Sequence, residues 1–67
     1  MSVARVTEIT ASSKKGIQDA VEGGLKRASK TLRGIIGLEI AQIKAKVEDG
    51  RVVEYRVTLK ITFILED

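Results

Sequence analysis

The spacing of apolar residues changes along the chain and marks out four elements. Residues 3 to 10, Val-Ala-Arg-Val-Thr-Glu-Ile-Thr, are rich in β-branched side chains and read as a strand. Ala11-Ser12-Ser13 then offers a helix N-cap. From Ile17 the apolar positions fall at 17, 20, 21, 25, 28 and 32, the stripe of an amphipathic helix. Lys30, Arg33 and Gly34 supply C-terminal signals, so the spacing predicts a helix over about 13 to 32. Beyond it the period becomes two. Asp49-Gly50 is a strong two-residue type I′ turn signal, and it joins a strand at about 38–48 to another at about 51–66.

The last strand is the most regular. Val53, Tyr55, Val57, Leu59, Ile61, Phe63 and Leu65 share one face, while Glu54, Arg56, Thr58, Lys60, Thr62 and Glu66 share the other, with Ile64 the exception among them. Some fifteen residues would extend about 50 Å at ~3.3 Å each, more than one small sheet can use. With Asp49 and Gly50 as the loop, paired residue numbers sum to 99, so Leu38 faces Ile61 and Ile40 faces Leu59. That face is the one the helix should cover. The opposite face then gathers Gly37, Glu39, Ala41, Ile43, Ala45 and Val47 opposite Thr62, Lys60, Thr58, Arg56, Glu54 and Val52. Glu39 and Lys60 form a cross-strand ion pair on it, worth roughly a few tenths of a kcal/mol. One helix cannot cover both faces, so the half-apolar second face is expected to receive a partner or a ligand.

Two features of the helix run against local preference. Gly23 and Gly24 sit in its middle, each costing about 1 kcal/mol relative to Ala. Gly24 falls on the apolar stripe between Ala20 and Ala28, where small residues allow close approach to a sheet. Lys14 and Lys15 are expected in the first turn, where the macrodipole disfavours cations, and are read as projecting into solvent.

Length adds a constraint. A chain of 67 residues and 7.3 kDa hides only ~60% of its unfolded surface, and at that size hydrophobic burial barely offsets the entropy of ordering. Disulfides, metals or partner chains normally close the gap. The sequence has no Cys and no His, which removes disulfides and leaves only oxygen ligands for a metal. A partner chain is the remaining staple. The N-terminus lacks an apolar signal region and no apolar run approaches the ~18 residues of a membrane span, so the cytoplasm is the expected compartment.

Catalysis is poorly provided for. There is no His or Cys to serve as base or nucleophile, and the single Tyr55 lies on the core face. Adjacent carboxylates occur only at Glu48-Asp49 and Glu66-Asp67, each able to contribute to a weak calcium site but more simply read as solvated. Gly16, Gly23 and Gly24 do not make a phosphate-binding loop. A net charge of +3 raises the question of nucleic acid, but the only aromatics, Tyr55 and Phe63, are on the apolar face and offer bases no stacking platform.

The order strand, helix, long hairpin in under 70 residues resembles the dodecin family. The residues that carry the resemblance are Glu8-Ile9, Ser12-Ser13 and Gly16-Ile17 entering the helix, Ala28 with Lys30-Thr31-Leu32-Arg33 leaving it, Glu39-Ile40, and Glu54-Tyr55 with Val57. The resemblance implies an α+β, β-α-β-β fold in which a three-stranded antiparallel sheet wraps the helix. It further implies a hollow shell of twelve identical chains that binds riboflavin or FMN at two-fold interfaces and stores it without acting as a flavoenzyme. Some members also bind coenzyme A. The family's flavin-stacking tryptophan falls at Gly37, and its flavin-contacting glutamine falls at Arg56. The loss of the ring removes about 1–3 kcal/mol of stacking, by analogy with bases. Arginine is a donor-only cation, suited to an anionic ligand or to Glu54 or Glu39 of a symmetry mate. Two functions remain open: a flavin-sequestering binding protein, and a flavin-free dodecin-like assembly that is structural or takes another ligand or a metal ion such as calcium.

Overall fold

The computed structural model describes residues 2–65. Its elements are β1 (Ala4–Ser13), α1 (Ile17–Ala28), β2 (Ile35–Glu48) and β3 (Arg51–Ile64). The strands form one antiparallel sheet in the order β1-β3-β2, and α1 packs on β1 and β3 across one face. This is the β-α-β-β, α+β arrangement expected from the sequence.

The central strand is the one with the strictest alternation. Val57, Leu59 and Ile61 of β3 are fully buried at 0% exposure, against Ala20 and Ala28 of α1. Ile9, Ala11, Val21, Leu32, Ile35 and Leu38 pack around them. Gly24 is the point of closest approach between helix and sheet. A Cβ placed there would stand 3.0 Å from Leu59 Cδ1 and 3.1 Å from Ala11 Cβ, whereas one at Gly23 would meet nothing within 4 Å. The two neighbouring glycines therefore respond oppositely to alanine. Gly23→Ala should stabilise the chain by up to about 1 kcal/mol through helix propensity. Gly24→Ala should destabilise it by about 1–2 kcal/mol, because overpacking against a rigid Cβ outweighs that gain. Urea midpoints of the two variants check this; equal shifts of the same sign would refute the close approach.

The helix is shorter than the expected 13–32. At its start, Ser12 and Ser13 belong to β1. Ser13 Oγ accepts from the backbone N–H of Lys15 at 2.9 Å and of Gly16 at 3.3 Å, and donates to Asp19 Oδ2 at 2.7 Å. Ser13 thus organises the turn before the helix, and the N-cap position passes to Gly16. Lys14 and Lys15 lie in that turn, exposed, rather than in the first helical turn. At the other end two hydroxyls compete for backbone carbonyls: Ser29 Oγ donates to Leu25 O at 2.8 Å and Thr31 Oγ1 to Ala28 O at 3.4 Å. The chain continues past Ala28 as a tighter turn, with Lys30 N–H on Arg27 O and Thr31 N–H on Ala28 O. Gly34, expected as the helix stop, sits in the link to β2.

The hairpin turn is as expected, with Asp49 at φ 52° and Gly50 at φ 74°, the two positive values of a type I′ turn. The register holds at both ends, where Glu48 faces Arg51, Ile40 faces Leu59 and Leu38 faces Ile61. Between them it slips by one: Ile43 pairs with Val57, Lys44 with Arg56, Ala45 with Tyr55 and Lys46 with Glu54. An extra residue at Val53 in β3 and another at Ala41 in β2 open and close the slip, and a third irregularity at Ile36 lets β2 begin at Ile35 instead of 38. A one-residue slip moves side chains to the other face of a sheet. Ile43, Ala45 and Val47, expected on the face away from the helix, are therefore on the helix side, and Gln42, Lys44 and Lys46 take the other.

β3 ends at Ile64, with Leu65 N–H bonded to Val3 O at 2.9 Å. Its expected extension to Glu66, and the Glu66-Asp67 pair, lie outside the described residues. β1 covers only the part of β3 from Tyr55 to Ile64. The remainder pairs with β2 alone as a two-stranded arm. The chain is accordingly long, with extents of 52 × 19 × 13 Å and a radius of gyration of 13.9 Å, against ~11 Å for a compact chain of this length.

Candidate functional site

The face of the sheet away from α1 is open. Cross-strand pairing arranges it in rows. Val6, Thr62 and Gly37 form one row, Glu8, Lys60 and Glu39 the next, then Thr10, Thr58 and Gln42, then Ser12, Arg56 and Lys44, with Glu54 and Lys46 beyond. This face is more polar than the sequence suggested, because the slip in β2 exchanges Ile43 and Ala45 for Gln42, Lys44 and Lys46.

Gly37 lies on this face in a shallow depression of about 540 Å³ formed with Val6, Ile36, Leu38, Glu39, Lys60 and Thr62. Ile36 is the extra residue of the irregularity in β2 and is 66% exposed, so it stands beside Gly37 as the depression's most exposed apolar side chain. The sequence pattern did not single out Ile36 or Val6. Both became visible only when the register placed them beside Gly37. A Cβ at Gly37 would meet nothing within 4 Å, so the backbone there leaves open the volume that a larger side chain would occupy.

Arg56 lies on the same face but not in the same place. Its Nη2 donates to Glu54 Oε1 at 3.1 Å on its own strand. Lys44 faces it across the ladder. Thr62, opposite Gly37, is six residues from Arg56 along β3, about 20 Å at ~3.3 Å per residue. Within one chain, then, Gly37 and Arg56 share a face and do not converge on one ligand.

Lys60 stands between Glu8 and Glu39 in the ladder, but Glu39 and Lys60 do not close to an ion pair; the pairs that form among the described residues are Lys46–Glu48 at 3.6 Å and Arg56–Glu54. Glu48 and Asp49 are exposed at the hairpin tip. Among the described residues no group of three or more carboxylates gathers as a metal site. Nor, among them, is any helix long and apolar enough to cross a membrane. Tyr55 and Phe63 are half-buried on the helix side, opposite the open face, as the alternation predicts.

The open face offers aliphatic floor at Val6 and Ile36 and hydrogen-bonding groups at Thr62, Glu39 and Lys60. It carries no aromatic ring, since both aromatics of the chain point to the other side. A stacked flavin therefore does not fit what this face supplies.

The sequence profile of the Dodecin family matches residues 3–66. Dodecin from Thermus thermophilus is 34% identical over 65 residues, spanning 97% of this chain and 94% of that protein. The structure of dodecin from Streptomyces coelicolor superposes with a TM-score of 0.92 at 39% identity, covering 98% of this chain and 94% of that one. An arginine-to-alanine variant of the Thermus thermophilus dodecin superposes at 0.94 with 33% identity and full coverage of both chains. With sequence and fold agreeing over its whole described length, the chain belongs to the dodecin family.

Proposed function

We propose that this chain is a non-enzymatic, cytoplasmic binding and storage protein that works as a shell of twelve identical chains. The observation that carries the reading is the open sheet face: Gly37 and Arg56, at the family's two flavin-contacting positions, share it yet stand about 20 Å apart along β3. A ligand touching both must lie between chains, which only an assembly provides. Light scattering is expected to give a particle near twelve times the 7.3 kDa of one chain; a monomer at micromolar concentration would contradict it.

Riboflavin or FMN is the ligand that family membership suggests, and Gly37 and Arg56 mark where it would lie. Lacking a ring to stack on, it should bind weakly. Titrating riboflavin fluorescence with the purified protein measures this directly, and quenching complete at sub-micromolar protein would show that the aliphatic floor suffices.

One observation favours the flavin-free alternative. Arg56 is already engaged by Glu54 at 3.1 Å, as in a side chain that holds the sheet surface together rather than awaiting a ligand. In that reading the shell is structural or carries another molecule. An equilibrium dialysis that finds neither flavin bound at tens of micromolar would select it.

A further inference from the structure

We propose that the C-terminal end of α1 and the turn after it form a docking surface for the phosphate backbone of duplex DNA, read without regard to base sequence. Charge is unevenly divided along the chain. Up to Gly34 there are seven cations and three carboxylates; beyond it there are five and six. The excess gathers in one place. Lys26, Arg27, Lys30 and Arg33 are all exposed, and no Asp or Glu occurs in the sequence from Gly23 to Leu38. The buried positions of α1 are Ala20, Gly24 and Ala28. Lys26 lies two residues from Gly24 and from Ala28, about half a helical turn, and so faces away from the sheet.

Elsewhere the cations have carboxylates beside them. Lys46 meets Glu48 at 3.6 Å, Arg56 meets Glu54 at 3.1 Å, and Lys60 stands between Glu8 and Glu39 in the ladder. Among the described residues none of the four cations at the end of α1 forms an ion pair. The helix macrodipole places about half a negative charge at this end, which offsets only a fraction of four positive ones. A sequence pI near 9.5 with the cations clustered along one helix is the electrostatic footprint of a phosphate-binding face. Two further observations select duplex DNA as the occupant. No large apolar side chain is exposed between Gln18 and Ile35, so this face lacks the anchor with which a helix lies in a lipid surface. The chain also has no aromatic ring on an open face to stack on splayed bases. Phosphates remain as the part of a nucleic acid that this face can engage, and a duplex presents them at one charge per ~1.7 Å of its axis. The patch belongs to a single chain, so the inference stands apart from the assembly reading: a monomer that binds duplex through it would uphold the one and contradict the other.

The test is fluorescence anisotropy of a labelled ~20-bp duplex titrated with the full chain from ~20 to ~200 mM NaCl. Neutralising four phosphates gives log K against log salt a slope of about −3.6 for each engaged copy, and a second duplex of unrelated sequence should bind equally well. Lys26→Gln combined with Lys30→Gln should weaken binding at least about tenfold at low salt and make the slope shallower by about 2 for each engaged copy. Lys44→Gln combined with Lys46→Gln removes the same charge from the open face and should change affinity by less than about threefold. Lys26→Arg with Lys30→Arg keeps the charge and should bind like the parent. All these side chains are exposed, and circular dichroism should be unchanged in each variant. Equal losses from the two glutamine pairs overturn the proposal, because net charge alone would then explain the binding. So does an unchanged anisotropy at the lowest salt. Tighter association with phosphatidylserine vesicles than with the duplex overturns the choice of DNA.

Discussion

Replacing Leu59 by alanine is expected to cost about 2–5 kcal/mol, enough to unfold most of the protein at room temperature outside an assembly. Leu59 is at 0% exposure in the middle of the central strand. Truncating a fully buried leucine removes its transfer free energy and leaves a cavity that the neighbours fill only in part. Small domains have total stabilities near the low end of about 5–15 kcal/mol, and this one has few buried side chains to spare. The loss should appear as a collapse of the urea midpoint with the slope unchanged. A shift equivalent to less than about 1 kcal/mol would mean that the core does not centre on β3. Leu59 is also the atom group closest to the missing Cβ of Gly24, at 3.0 Å. The penalty of Gly24→Ala should therefore shrink in the Leu59→Ala background, while the 3.1 Å approach to Ala11 Cβ keeps it from vanishing.

The second large effect is a gain. Gly37→Trp combined with Arg56→Gln is expected to raise riboflavin affinity by about tenfold to a hundredfold. Stacking on one aromatic ring is worth about 1–3 kcal/mol by analogy with nucleic-acid bases, and each 1.4 kcal/mol is a factor of ten. The backbone at Gly37 leaves the space that an indole needs, since nothing stands within 4 Å of its would-be Cβ. Glutamine at 56 restores a group that both donates and accepts, and it releases Glu54 from its 3.1 Å contact. Riboflavin fluorescence should then be quenched at protein concentrations where the parent chain has no effect. Gly37→Trp alone should recover the larger part, because stacking is the larger contribution. No gain from the double substitution would mean that position 37 does not face the ligand.

Both effects depend on faces, and faces are where sequence and structure part company. The helix face of β3 was legible at once: Val57, Leu59 and Ile61 alternate without interruption and are the most deeply buried large side chains. The Asp49-Gly50 turn was legible for the same kind of reason, because two consecutive positive φ values are a local demand that few residue pairs meet. The helix was legible in kind but not in length. Its apolar stripe runs on to Leu32, yet the α-helix ends at Ala28, where the N–H groups of Lys30 and Thr31 bond three residues back in a tighter turn. Of the candidate site, the shared face of Gly37 and Arg56 could be read from the hairpin register, but not the neighbours of either. Ile36 beside Gly37 and Lys44 beside Arg56 appear only once the irregularities in the ladder are known.

What the sequence determines by itself is everything set by local periodicity: four elements in order, the turn that joins the last two, the identity of the core strand, and the absence of cysteine, histidine and an open-face aromatic. Tertiary structure decides the rest. The extra residues at Ile36, Ala41 and Val53 have no signature in their side chains, because a bulge is a misfit between two strands and belongs to neither one. Each changes the alternation by one, so a pattern exact within every strand still sends Ile43 and Val47 to the side opposite the one it predicts. That displacement makes the open face polar. It also leaves Ile43 and Val47 on the helix side yet exposed, because α1 packs on β1 and β3 and does not reach them.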